Sequence, residues 1–307
     1  MSLTFIKAGL QSSLQDWGRV GQMHLGLSAS GAMDYRSMTL ANYLMNKPLN
    51  SPVIEVTLLG PVIRAENDIA LAICGADFDL SHNGNKTQCN QVINLNRGDS
   101  LEFKQCKQGV RAYISFTGQL EIPPLLDSYS THLTANIGSI NCAFVDGQSL
   151  SISGGYHLPA KQLPKKLTPV YLGNYLVRCV SSLETDLFSE SQISAFYAQT
   201  YQVSSEANRM GIRLQGVPLD QNNSINITSS GLTQGSIQIP PSGLPIISSV
   251  DGQTIGGYPR IANVIAADLP LLGQLRTHDR INFTPVKLSY ADQLLDESNK
   301  LLDELMD

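Results

Sequence analysis

Short segments in which apolar and polar residues alternate constrain the fold of this chain more than any other feature of its sequence. Such segments occupy residues 53–59, 112–117, 224–228, 236–239 and 280–283. They are rich in β-branched residues, and Gly, Pro, Asn and Asp separate them, which is typical of strands joined by turns. Because no regular alternation of strands with helices accompanies them, the pattern predicts a mainly β protein of barrels or sandwiches, not a doubly wound sheet.

Three segments predict helices. Asp34 can cap a helix over residues 35–45, and Ser189 with Gln192 forms a capping-box pattern that opens a short second helix. The acidic tail, residues 290–306, places its leucines largely on one side of a third helix. This last helix either docks on its own domain or binds a partner.

The length of 307 residues suggests about two domains. Residues 161–167 are polar, with three lysines and a proline, and they are the best candidate for a linker. We therefore predict a β-rich N-terminal domain over residues 1–160, a second β domain over 168–288 and an acidic C-terminal helix over 289–307.

Charge and targeting signals narrow the functional classes. The formal net charge is −5, and residues 289–307 account for all of it, so no basic face for nucleic acid is indicated. No apolar run is long enough to span a bilayer, and the N-terminus lacks the pattern of a signal peptide. With an odd number of cysteines, five, and no CxxC pair, the chain is expected to be cytoplasmic with reduced thiols.

Several strong catalytic motifs are absent from the sequence. It has no GxxxxGK[ST] phosphate loop, no HExxH, no paired Cys/His spacing and no GxSxG elbow. No metal site is therefore evident, and the candidate chemistry lies in three polar clusters.

The first cluster combines Gln15, Asp16, Arg19, Ser30 and Asp34 with glycines at positions 18, 21, 26 and 31. Glycines allow the backbone to approach a ligand closely, and an Asp/Arg pair can orient a small polar molecule. The alternative is that Asp16 and Arg19 pair with each other to hold a loop, while Asp34 only caps its helix.

The second cluster is the segment 208–214. In a strand, Arg209, Gly211 and Arg213 share one face, and two guanidiniums there would suit a carboxylate or phosphate. The alternative is that these arginines pair with Glu206 or with other carboxylates.

The third cluster places the uncharged side chains of Gln238, Gln253, Thr254 and Tyr258 beside glycines and prolines. Such stretches suit rigid binding loops on a β scaffold. Ordinary β-turns use the same residues, so this pattern alone is weak.

Taken together, these clusters resemble the allophanate hydrolase subunit 2 or KipA family. That family includes the C subunit of bacterial 5-oxoprolinase and matches one half of the carboxyltransferase region of biotin-dependent urea carboxylase. The resemblance runs over most of the chain and is carried by residues 15–19, 30–34, 40–42, 55–61, 208–214, 235–240, 256–259 and 267–270.

The resemblance implies a fold and a set of partners. The fold is two lobes of cyclophilin-like β-barrel architecture with few short helices. The partners are a KipI-like subunit (allophanate hydrolase subunit 1) and, in 5-oxoprolinase, a third LamB/YcsF-like subunit. That complex opens 5-oxoproline to glutamate with ATP, which this subunit need not itself bind.

The same resemblance suggests roles for the cluster residues. Arg209 and Arg213 are candidates to meet developing negative charge, and Asp16 is a candidate to orient the substrate or act as a base. The substrate, a small amide or lactam, would contact the remaining candidates: Gln15, Arg19, Ser30, Asp34, Gln238, Thr254 and Tyr258.

The chain departs from the family pattern at two arginines. Residues 127–131 read Asp-Ser-Tyr-Ser-Thr where the family usually has Gly-Ser-Arg-Ser-Thr. Residues 137–143 replace a Gly-rich stretch that usually ends in Gly-Arg.

Two other functions are compatible with the same residues. One is carboxyl transfer from biotin to urea or another amide, which would need other chains. The other is regulation, in which the chain binds and antagonises a KipI-like kinase inhibitor.

Overall fold

The computed structural model describes residues 2–220 and 227–304, which form two compact units. The first unit comprises residues 2–19 and 30–171, and the second comprises residues 20–29 together with the described residues from 172 onward. The chain divides after Tyr171, whereas the sequence suggested a linker within residues 161–167. Leu163 and Leu167 of that segment are buried, and Lys161 Nζ donates a 2.9 Å hydrogen bond to the Tyr43 carbonyl.

The first unit is built on one sheet of ten described strands. Two strands are unusually long: β5, Ile69–His82, which the sequence pattern did not predict, and β8, Ser100–Phe116, of which it predicted only the end. Their pairing shifts register three times between Gly75 and Leu80. Such bulges bend a long pair and increase its twist, so that one face can wrap around an apolar core. The strands are β1 Ser2–Lys7, β2 Gln11–Gln15, β3 Val53–Thr57, β4 Val62–Ala65, β5 Ile69–His82, β6 Asn85–Thr87, β7 Val92–Leu95, β8 Ser100–Phe116, β9 Gln119–Leu120 and β10 Ser149–Ser153.

Helix α1, Tyr35–Leu44, belongs to the first unit and confirms the prediction for residues 35–45. The Asp34 side chain accepts a hydrogen bond from the Ser37 backbone N–H, as expected of an N-cap. Met38, Ala41 and Leu44 are fully buried, which fixes the apolar face of the helix.

The second unit contains a closed barrel of seven strands in the order β11-β18-β15-β16-β13-β12-β19. A separate pair of short strands, β14 and β17, forms a two-stranded sheet. The strands are β11 Asn174–Ser181, β12 Tyr201–Val203, β13 Gly211–Gln215, β14 Ser230–Gly231, β15 Ser236–Gln238, β16 Ile246–Ser248, β17 Ile255–Gly256, β18 Arg260–Val264 and β19 Arg280–Pro285.

Alternation along the barrel strands separates the core from the outer face. Ile212, Leu214, Ile237 and Ile247 point into the apolar core of the barrel. Residues next to them in sequence point to the other side, because successive side chains of a strand alternate. The outer face of β13, β15 and β16 is therefore available for a polar site.

The mainly β fold with barrel architecture and few short helices is confirmed. Four of the predicted strand segments lie on β3, β8, β15 and β19. The fifth predicted segment is 224–228. Its residues 224–226 are not among the described residues, and residues 227 and 228 are not in a strand.

The described residues of the second unit contain three α-helices: α2 Glu190–Ala198, α3 Leu269–Leu272 and α4 Leu288–Asp303. The predicted capping box of Ser189 and Gln192 is present at the start of α2. Helix α4 lies where the C-terminal helix was predicted, and it buries Ala291 and Leu302. Residues 305–307 of the predicted segment lie outside the described residues. None of the helices described is both long enough and apolar enough to cross a bilayer.

Candidate functional site

The Asp16 carboxylate of the first unit is enclosed by hydrogen-bond donors. Asp16 follows directly after β2 and is only 7% exposed. Its Oδ1 accepts from the Gly18 N–H and the Ser128 hydroxyl, both at 2.7 Å, and from the Ser130 hydroxyl. Its Oδ2 accepts from the Tyr129 N–H at 2.7 Å. Both carboxylate oxygens are thus occupied by protein donors.

Gln15 and Arg19, which lie on either side of Asp16 in the sequence, hold the same segment. The buried Gln15 side chain donates from Nε2 to the Thr131 carbonyl at 2.9 Å. The buried Arg19 guanidinium donates to the Ser130 carbonyl. These side chains fix residues 128–131 against the end of β2, which is a structural use of the cluster.

The sequence did not single out Ser128 and Ser130 as partners of Asp16. They lie in the segment that departs from the family pattern, and more than 100 residues separate them from Asp16. Hydroxyl groups spaced two residues apart are a common pattern, so no local signal identified them.

Ser30 and Gly31 lie at a tight approach of two loops in the first unit. Ser30 has φ +57 and Gly31 has φ +94, the left-handed region that glycine adopts readily. A Cβ on Gly31 would lie 3.0 Å from the Gly18 nitrogen, so glycine is required for this approach.

The Asp34 side chain serves as the cap of α1, which is the structural use considered for it. Its backbone N–H donates to the Tyr113 hydroxyl at 2.7 Å, and that hydroxyl donates to Glu55 at 2.8 Å. Burial, together with the carboxylates of Glu55 and Asp34, raises the pKa of Tyr113, which keeps this hydroxyl a donor.

Arg209 of the second unit is part of a buried ion pair. Its Nε and Nη2 donate to the two Asp251 carboxylate oxygens at 2.8 and 3.0 Å. The side chains are 4% and 0% exposed, respectively. The strand β13 begins only at Gly211, so Arg209 precedes it and does not share its outer face with Arg213. The predicted pair of guanidiniums on one strand face is therefore wrong, and the carboxylate partner is Asp251.

A cavity of about 620 Å³ lies on the outer face of the barrel in the second unit. Strand alternation places Arg213 of β13, Gln238 of β15 and Ser248 of β16 in its wall. Gln253, just before β17, and Tyr258, just before β18, also belong to the wall. The cavity is a concave site with a small number of polar groups, the usual form of a small-molecule site.

The two-stranded sheet of β14 and β17 contributes Ile255 and Gly256 to the same cavity. Arg260 holds this sheet in place, because its Nη1 donates to the Gly231 carbonyl at 2.6 Å and its Nη2 to the Ser230 hydroxyl at 3.0 Å. Arg260 also forms an ion pair with Glu184. The wall is therefore anchored to the barrel by a buried guanidinium.

The cavity brings together three of the predicted site residues: Arg213, Gln238 and Tyr258. Thr254 is buried beside them but is not part of the wall, and its carbonyl accepts from Leu232 N–H at 2.8 Å. Ser248 and Ser229 belong to the wall and were missed. The alternation of β16 would have indicated Ser248 once Ile247 was assigned to the core.

The described residues contain no group of side chains suited to a metal ion. In residues 2–220 and 227–304, no three His, Cys, Asp or Glu side chains lie close enough together to hold one.

The sequence and the fold of the chain match one class of protein. The model of the carboxyltransferase domain, subdomains A and B, matches residues 25–285, and the chain belongs to this family. The chain is 32% identical to the C subunit of 5-oxoprolinase from Escherichia coli, covering 99% of this chain and 97% of that protein. It is 31% identical to the same subunit from Haemophilus influenzae, covering 96% and 94%.

The similarity extends to larger enzymes. The crystal structure of Kluyveromyces lactis urea carboxylase superposes with a TM-score of 0.93 at 27% identity. The match covers 99% of this chain but 29% of the urea carboxylase chain. Urea amidolyase of Saccharomyces cerevisiae is 30% identical over 97% of this chain and 17% of its own length. The fold of this chain thus corresponds to one part of those longer chains.

Proposed function

We propose that this chain acts as the C subunit of a 5-oxoprolinase, in a complex that converts 5-oxoproline and water to glutamate with hydrolysis of ATP. The observation that carries the proposal is the correspondence with the Escherichia coli protein over 99% of this chain and 97% of that one. The similarity to urea amidolyase, in contrast, extends over 17% of that enzyme.

The cavity of the second unit supports a small amide as the ligand. Its amide and hydroxyl side chains, Gln238, Gln253 and Ser248, can donate to a lactam carbonyl and accept from its N–H. A cavity of about 620 Å³ is more than large enough for a five-membered ring.

The nucleotide fits this cavity poorly. A triphosphate carries several negative charges, whereas the described wall contributes one cationic side chain, Arg213. We therefore assign no step through ATP to this cavity. In the proposed complex, ATP would phosphorylate the lactam oxygen and leave as ADP. One water would then open the C–N bond to give an acyl phosphate, and a second water would release glutamate and phosphate. Partner subunits would supply the binding site for ATP.

Asp16 has a positioning role in this proposal. A carboxylate that already accepts four protein hydrogen bonds is poorly placed to remove a proton from a substrate. Its contribution would be to hold residues 128–131 in place.

The test is reconstitution with a KipI-like and a LamB/YcsF-like subunit from the same organism. We expect glutamate and phosphate to be released in equal amounts from 5-oxoproline and ATP, and we expect omission of this chain to abolish the release. An assembled complex that releases no glutamate would contradict the proposal.

Carboxyl transfer is the second candidate, favoured by the TM-score of 0.93 with urea carboxylase. It requires a biotinylated carrier and a biotin carboxylase. Incorporation of labelled bicarbonate into allophanate, dependent on urea and on this chain, would favour it over lactam opening.

A further inference from the structure

Among its described wall residues, the cavity of the second unit has one charged side chain. Of the described residues in its wall, Arg213 alone is formally charged, and the polar groups beside it are amides and hydroxyls. No carboxylate is present among these described wall residues. A guanidinium in an otherwise uncharged concave wall creates a positive potential, which favours an anionic ligand over a neutral one.

The Arg213 guanidinium is accessible for such a ligand. Its contact with the Glu206 carboxylate is 3.4 Å long, and the two side chains are 54% and 73% exposed. Exposed pairs of this kind contribute little to stability, so a ligand carboxylate can replace Glu206 at small cost. Arg209 differs in this respect, because its guanidinium is buried against Asp251.

The amide of Gln238 has a defined place on the same wall. Its Nε2 donates to the Tyr258 carbonyl at 3.3 Å. A Cβ on Gly256 would lie 2.6 Å from this Nε2, so the absence of a side chain at position 256 leaves room for the amide. Gln238 can therefore present its amide to a ligand from a fixed direction.

Strand register sets the separation between Arg213 and Gln238. Arg213 pairs with Ile246, and Ile246 pairs with Gln238. The two residues thus lie level with each other, two strand spacings apart, which is about 10 Å between backbones. An arginine and a glutamine side chain that extend from these positions leave space for one small molecule with an anionic end and an amide end.

We propose that Arg213 binds the substrate carboxylate while Gln238 contacts the amide, so that the cavity selects small carboxylate-bearing amides over neutral amides such as urea. A guanidinium can bind a carboxylate through two parallel hydrogen bonds, which also fixes its orientation. This inference rests on the proposed function, and it adds the residue that determines specificity.

The experiment is calorimetric titration of the full chain with four probes: 5-oxoproline, 5-oxoproline carboxamide, pyrrolidin-2-one and urea. We expect 5-oxoproline to bind about tenfold tighter than the carboxamide, the value of one charge-assisted contact. Arg213→Gln should abolish this preference, and Arg213→Lys should restore part of it.

Two further variants complete the test: one should strengthen binding, and the other is a control that should not change it. Glu206→Gln removes the competing carboxylate, so it should tighten 5-oxoproline binding about two- to threefold and leave carboxamide binding unchanged. Arg280→Gln is the matched control, because Arg280 is an exposed arginine of the same barrel outside the described wall. It should leave all four affinities unchanged.

Equal affinity for 5-oxoproline and its carboxamide, or 5-oxoproline binding that Arg213→Gln leaves unchanged, would overturn the inference. If the chain alone binds no probe, the assembled complex provides the measurement: Arg213→Gln should raise the KM for 5-oxoproline about tenfold, and an unchanged KM would refute the role of Arg213. The proposed function fails separately, when the wild-type complex releases no glutamate, whatever Arg213→Gln does to binding.

Discussion

The Asp16 cluster of the first unit and the cavity of the second unit use similar residues in opposite ways. In the first, the four donors to Asp16 all come from the protein, and the carboxylate is 7% exposed. In the second, Arg213 makes one long contact with Glu206 and is 54% exposed. The first arrangement stabilises a loop, whereas the second leaves a charged group available to a ligand.

The comparison shows that residue type and nearby glycines do not distinguish a structural cluster from a binding site. What distinguishes them is whether the protein already satisfies the hydrogen-bonding capacity of the side chain. Arg209 and Arg213, four positions apart in the sequence, illustrate this difference. Arg209 is buried in a bidentate pair with Asp251, whereas Arg213 lines a cavity.

The largest expected effect is on the buried pair. Arg209→Met should lower the free energy of unfolding by about 3–5 kcal/mol, because it leaves the fully buried Asp251 carboxylate without its cation. Urea-induced unfolding followed by circular dichroism measures this loss. The double variant Arg209→Met, Asp251→Leu should recover much of it, and a loss below about 1 kcal/mol would show that the pair is not structural.

Asp16→Ala should have the next largest effect, about 2–3 kcal/mol. The substitution leaves the hydroxyls of Ser128 and Ser130 and the N–H groups of Gly18 and Tyr129 without their acceptor. Ser128→Ala, which removes one donor, should cost less. If Asp16→Ala instead abolished turnover of the complex with no change in stability, Asp16 would act on the substrate and the comparison would fail.

The sequence predicted the fold class well because alternation and capping are local. The strand patterns of residues 53–59 and 280–283 and the caps at Asp34 and Ser189 depend on neighbours within a few residues. Strand β5 and most of β8 were missed because glycines, bulges and charged residues interrupt their patterns, while pairing between the two strands keeps them continuous.

The roles of the candidate site residues were harder to predict because their partners are distant in the sequence. The partner of Asp16 is a segment more than 100 residues away, and the partner of Arg209 is 42 residues away. Alternation along β13 correctly placed Gly211 and Arg213 on one face, but it could not show that Arg209 precedes the strand. Tertiary pairing, which no local pattern encodes, decides which polar side chains remain available.

Asp99 of the first unit lies between the enclosed Asp16 and the exposed Arg213, because protein donors contact its carboxylate while solvent still reaches it. It accepts hydrogen bonds from Asn83 Nδ2 at 2.7 Å, the Asn96 N–H at 2.8 Å and His82 Nε2 at 3.0 Å, and it is 15% exposed. These hydrogen bonds lower the pKa of Asp99 to about 2, and the one from Asn83 contributes most to the shift. Because the pKa is lowered on folding, the stabilisation is present above about pH 4 and is lost as the pH falls towards 2.

We therefore expect Asp99→Asn to cost about 1 kcal/mol at pH 7, after allowance for solvent screening, and almost nothing near pH 2. Unfolding curves of both proteins at pH 7, 4 and 2 measure the difference. A cost that is independent of pH would mean that the carboxylate charge contributes nothing there.

The smallest expected effect concerns Arg213. Arg213→Gln should change the free energy of unfolding by less than about 0.5 kcal/mol, because the exposed pair with Glu206 contributes little. The measurement is the same urea titration used for Arg209→Met, so the two arginines are compared directly. A loss comparable to that of Arg209→Met would mean that Arg213 is structural as well. An unchanged stability combined with weaker binding of 5-oxoproline would place Arg213 in the ligand site, since a group that stabilises neither the barrel nor its loops affects binding only through the ligand.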